Sequence, residues 1–268
     1  MRPARVMSQA AIKPVAHRDV MLPLLGGMIV LAWVALYAWS RSPYARYLDH
    51  TDFAAICTVE GASRAALYVG GFLLMIAAMM LPTTLPLIAI FRRMTGERRD
   101  RALLVALLIA GYVGVWSAFG VVAHAADYGL HAFANDSLWL QVHTWIVGAA
   151  LLGIAGAFQF TRQKYRCLDQ CRQPMSFVMQ HWRGGDPRAQ AIALGAHHGA
   201  YCVGCCWALM LLMFGVGSGN VGWMLAIGAV MAIEKNSPWG RRLAAPLGIA
   251  LLALGAIVVL QHVSVTGA

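Results

Sequence analysis

Five of the six cysteines fall between positions 167 and 206, and three of them, Cys202, Cys205 and Cys206, sit within five residues. Separations of three and four place these three on one face of a helix. His198 lies four residues before Cys202, Met210 four after Cys206 and Met213 seven after it. One helical face therefore carries an imidazole, then thiols, then thioethers. Those groups suit copper(I), zinc or another soft ion. One helix cannot wrap its ligands around an ion, so a second element must contribute. Cys and Met are also common apolar fillers of helices. Three Cys this close together beside a His weigh towards metal or thiol chemistry.

Cys167 and Cys171 form a second pair, within Arg166-Cys-Leu-Asp-Gln-Cys-Arg172. Their spacing of four puts both thiols on one face if the segment is helical. Lys164, Arg166 and Arg172 nearby would favour the thiolate, the form that binds metal or attacks. A further soft partner is Met79, which with Met75, Pro82 and Pro86 lines one face of another apolar stretch, with Met80 adjacent. Two prolines there free backbone carbonyls and kink the helix. Simple methionine packing explains the same pattern. Glu234 and Lys235 end an apolar run, where ionisable groups are functional candidates or else a local pair with a snorkelling Lys. His143 and Gln159 read as interhelical hydrogen-bonding residues, and His124, Asp127 and His131 as a wet interface. Cys57 stands alone and reads as incidental.

The elements that position these residues are apolar helices. Of 268 residues 60% are apolar and only 12% charged, about half the usual charged share of a soluble domain. Stretches at about 21–39, 66–91, 102–125, 138–160, 191–215, 221–233 and 243–262 read as seven spans, most near the ~20 residues needed to cross the hydrocarbon. With the N-terminus in the cytoplasm, segments 1–20, 92–101, 161–190 and 234–242 hold 18 of the 21 Lys and Arg, leaving Arg41, Arg46 and Arg64 outside. That asymmetry obeys the positive-inside rule and puts the C-terminus outside. The expected fold is all-α: a polytopic bundle of about seven spans, with a cytoplasmic segment 1–20, one transmembrane domain over 21–262 and an outer tail at 263–268. The net charge of +10 belongs to the short inter-helix segments, so lipid headgroups rather than nucleic acid are its partner. Gly195 and Gly199 permit close helix contact. No cleavable signal peptide, phosphate-binding Gly-Lys-Ser/Thr loop, haem-attachment motif or nucleophile elbow is evident, and no catalytic residue is assigned.

Three segments carry a resemblance. They are Met75-Ile-Ala-Ala-Met-Met-Leu-Pro82 with Pro86; Cys167-Leu-Asp-Gln-Cys-Arg-Gln-Pro174; and His198-Gly-Ala-Tyr-Cys-Val-Gly-Cys-Cys-Trp-Ala-Leu-Met210, continuing to Trp223-Met224 and Glu234-Lys235. Here the chain resembles a bacterial family of unknown function described as predicted metal-binding integral membrane proteins. The resemblance implies a multi-pass protein of the bacterial inner membrane with a metal site at the matching Cys, His and Met. It departs at Gly219, where the family carries a Met, so that turn offers no thioether.

The leading expectation is a membrane protein that binds or moves a soft metal, above all copper(I), with zinc as the other choice. Cys202, Cys205 and Cys206 are the core ligands, with Met210, His198 and Met79 beside them and Cys167 and Cys171 at the cytoplasmic mouth. A metallochaperone or a membrane-complex subunit is the expected protein partner. One alternative is a thiol–disulfide oxidoreductase, since adjacent cysteines make a strained, easily reduced disulfide. Only Cys57 faces outward, which counts against it. The other alternative is an accessory subunit whose cysteines merely pack.

Overall fold

A computed structural model describes residues 21–42, 59–136, 143, 145–216 and 220–266. The 1–20 segment, Cys57, Gly219 and the last two residues of the expected outer tail lie outside these. So do the side chains of Arg64, His124, Asp127 and His131.

The described residues form ten helices and no strand: α1 Met21–Ser40, α2 Val59–Met79, α3 Leu81–Met94, α4 Arg101–Asp136, α5 Trp145–Phe158, α6 Arg162–Arg172, α7 Pro174–His181, α8 Pro187–Val216, α9 Val221–Asn236 and α10 Gly240–Thr266. Four carry windows long and apolar enough to cross a membrane: Pro23–Ser40, Arg101–Ala123, Pro187–Met213 and Gly240–Ser264. Two bent pairs, α2 with α3 and α5 with α6, each bent by 64°, raise this to as many as six if each pair is one span. The stretch expected as the sixth span is α9, whose 16 residues reach about 24 Å, short of the ~30 Å of hydrocarbon. Large apolar side chains on α1 and α10, among them Leu31, Val34, Ile249 and Leu260, point outward. An outer surface of that kind is compatible with lipid.

Proline chemistry sets the α2–α3 bend. Pro82 has no N–H for the carbonyl of Ala78 four residues back. The Trp33 indole of α1 donates to that carbonyl instead, at 3.1 Å. Thr83 caps the break through its hydroxyl, which donates to the Met80 carbonyl at 2.7 Å. The α5–α6 bend is fixed by Thr161, which caps α6 by accepting from the Lys164 N–H.

The central helix is α8, and α4 packs along it. Glycine makes this approach possible: a side chain at Gly195 would run into the Leu108 carbonyl, and one at Gly111 into the Ile192 carbonyl. Gly199 sits over the Tyr112 carbonyl in the same interface. The sequence reading of Gly195 and Gly199 as close-contact positions matches this packing. On another side of α8 lies α6, folded back by the bend, so the cysteine pair of α6 meets the three cysteines of α8.

Candidate metal centre

Cys202, Cys205 and Cys206 project from α8 into the core, all at most 1% exposed. They belong to one continuous buried cluster that also holds Cys171 and seven methionines: Met75, Met79, Met80, Met210, Met213, Met224 and Met231. Four helices, α2, α6, α8 and α9, supply its sulfur atoms, and Met80 at the α2–α3 break adds another. This is the second element that one cysteine helix required.

The distances within the cluster are short. Cys205 Sγ lies 3.4 Å from Cys206 Sγ, and the Cys205 thiol donates to the Cys202 carbonyl at 3.2 Å. Cys171 approaches Cys205 closely enough to share a hydrogen bond. Cys167 lies directly over Gly204, where any side chain would displace its sulfur. All five described cysteines are free thiols. Met79 rests on Gly228 of α9 at van der Waals distance. Met210, one helical turn beyond Cys206, is buried in the same cluster.

Cys202 has two polar neighbours. Lys235 Nζ of α9 donates to its sulfur at 2.7 Å. The Tyr112 hydroxyl of α4 lies 3.0 Å from it and also reaches the Met80 carbonyl at 3.3 Å. Lys235 is 5% exposed, and its charge acts on Cys205, Cys206 and Cys171 as well as on Cys202. Beside it Glu234 forms a buried ion pair with Lys164, Nζ to Oε2 2.6 Å. Arg172 donates to the backbone carbonyls of Glu234 and Pro238. Lys164 and Arg172, read in the sequence as favouring the Cys167 and Cys171 thiolates, place these donors on Glu234 and on the backbone at the end of α9.

His198 is 2% exposed, and its Nδ1 has no hydrogen-bond partner among the described residues. Its ring packs between Tyr112 and Phe177, with centroids at 5.9 and 5.4 Å. Gln159, expected to bond across helices, is fully buried with both amide atoms unpartnered among the described residues. No three His, Cys, Asp or Glu side chains of the described residues already converge as a metal cage. Cys202 is turned to Lys235 and Tyr112, and Cys205 to its own helix.

Two participants were not among the expected ligands. Lys235 was legible as an ionisable residue at the end of an apolar helix, but nothing in one chain says which thiol it meets. Tyr112 carries no signal, since one tyrosine in an apolar helix reads as core.

Fold and site define a class: an all-α protein with several membrane-length helices around a buried thiol and thioether core. The model of the PpoB2 family, copper chaperone, matches residues 69–258, more than two thirds of the chain, and the chain belongs to that family. No curated protein and no solved structure matches it.

Proposed function

We infer that the chain binds copper(I) as cargo inside the membrane, through Cys202, Cys205 and Cys206, and hands it on by exchange between sulfur ligands. The observation that carries this reading is the burial of four thiols and seven thioethers in one cluster within a copper-chaperone family. Soft sulfur donors select copper(I) over the harder ions. Cys171 and Cys167 would pass the ion to or from the cluster, and Met210, Met79 and His198 would flank it. Abundant neighbouring donors favour exchange, because each new sulfur can bind before the previous one leaves.

Charge supports the same reading. Two thiolates with one copper(I) carry a net charge of −1, costly away from water. The Lys235 ammonium beside Cys202 offsets that charge. The setting is the bacterial inner membrane, with a donor or acceptor metalloprotein as partner.

The test is metal content. The chain is purified in detergent under reducing conditions after growth with copper and zinc, and metals are counted by plasma mass spectrometry. Near-stoichiometric copper, lost in the Cys202→Ser, Cys205→Ser, Cys206→Ser variant, is expected. Unchanged copper in that variant would sink the assignment, and zinc in its place would change the ion.

A further inference from the structure

A second group of metal-capable side chains lies outside the sulfur cluster, where α7 meets α8. His181 ends α7 and His197 sits on α8, with ring centroids 5.1 Å apart and planes 42° to one another. Two imidazoles joined through one ion span roughly 6 Å between centroids, given metal–nitrogen bonds of about 2 Å. The pair is already close to that span.

The hydrogen bonds set the tautomers. His181 Nδ1 lies 2.9 Å from the Phe177 carbonyl, and His197 Nδ1 lies 2.8 Å from the Ala193 carbonyl. A carbonyl only accepts, so each Nδ1 carries a proton, and in the neutral ring Nε2 is then the nitrogen that offers a lone pair. A ring N–H held by a backbone carbonyl is the usual outer support of a metal-ligating histidine. His262 makes a similar bond to Val258, and its ring stacks on Trp145. Burial separates the pair from the sulfur cluster as well. His197 is exposed, His181 is half-buried, and the exposed polar turn at 183–186 follows His181 closely.

The pair also connects inward. Phe177, fully buried, stacks on His181 at 4.2 Å and meets His198 at 5.4 Å. His198, unpartnered at Nδ1, packs on Tyr112, whose hydroxyl is 3.0 Å from Cys202. Side chains in contact thus run from an exposed imidazole to the first buried thiol.

We propose that His181 and His197 form a separate copper(I) station at the α7–α8 surface, which loads or unloads the buried sulfur cluster past Phe177 and His198. It rests on the proposed function for the identity of the ion. Neutral imidazoles are borderline donors, weaker than thiolates for copper(I). A less buried site with weaker donors captures the ion reversibly, and the sulfur cluster retains it.

The test titrates the detergent-purified full chain with copper(I), without oxygen, against a coloured copper(I) chelator, and examines ligation by X-ray absorption. Wild type is expected to take up one nitrogen-ligated ion beyond the sulfur-ligated one. His181→Phe with His197→Phe keeps ring packing on Phe177 and should lose that one equivalent. His197→Ala, at an exposed position, should lose it too without disturbing the core. The Cys202→Ser, Cys205→Ser, Cys206→Ser variant should keep one ion with nitrogen ligands only. Wild-type stoichiometry in both histidine variants would overturn the station. So would a serine variant that binds no copper, a result that leaves the sulfur reading intact. Loss of all copper in the histidine variants, with uptake unchanged in the serine variant, would sink the sulfur reading and keep the station.

Discussion

Lys235 Nζ stands 2.7 Å from Cys202 Sγ, joining α9 to α8 through an ammonium and a sulfur that are both buried. A buried cation next to thiols has one evident electrostatic use, to balance negative charge that the sulfurs acquire on binding metal. Lys235→Met keeps much of the volume and removes the charge. Its copper(I) affinity should fall by at least about tenfold, equivalent to roughly 1.4 kcal/mol, and Lys235→Arg should recover part of the loss. Chelator competition measures both. Unchanged affinity in Lys235→Met would show that the contact is packing alone.

Lys164 and Glu234 form the neighbouring pair, at 0% and 1% side-chain exposure. Removing one partner of a buried pair leaves an uncompensated charge, at a cost of about 3–5 kcal/mol. Lys164→Met and Glu234→Gln should each lower the thermal unfolding midpoint in detergent. Combining Lys164→Met with Glu234→Gln removes both charges and should restore much of the loss. A double variant as unstable as the sum of the two singles would show that the charges do not interact.

Much of this architecture was legible in the sequence. The all-α class and membrane-length helices follow from apolar runs separated by charge. The shared face of Cys202, Cys205 and Cys206 follows from helical periodicity, and Met79 stood out because two prolines mark the bend beside it. What one chain could not show was the direction of each bend. The 64° turn before Arg162 brings Cys171 to Cys205, 34 positions further along the chain, and no local spacing encodes that return. Tyr112, the Glu234 partner of Lys164 and the His181–His197 pair were missed for the same reason: each acquires its meaning from a neighbour on another helix.

The return of α6 onto α8 can be tested by oxidation. Cys171 lies beside Cys205, while Cys167 lies over Gly204. Mild oxidation of the metal-free protein should yield a Cys171–Cys205 disulfide, read by mass spectrometry of cleaved, alkylated peptides. Copper(I) bound beforehand should suppress it, since coordinated sulfurs are not free to pair. A chain that never forms this link, while its thiols remain reactive, would place α6 elsewhere.

The α4–α8 contact gives the sharpest steric prediction. A Cβ at Gly195 would meet the backbone carbonyl of Leu108, which cannot turn aside as a side chain can. Gly195→Leu should force the two helices apart, tilt Tyr112 away from Cys202 and lose both a monodisperse detergent-solubilised protein and copper. Gly114, on the same α4, has nothing within 4 Å of its Cβ position. Gly114→Ala should be neutral or stabilise by up to about 1 kcal/mol, because alanine is the better helix former. Size-exclusion profiles and unfolding midpoints of the two variants, run side by side, decide the matter. If Gly195→Leu matches wild type, α4 and α8 do not pack backbone to backbone at this point, and the position of Tyr112 over Cys202 has lost its support.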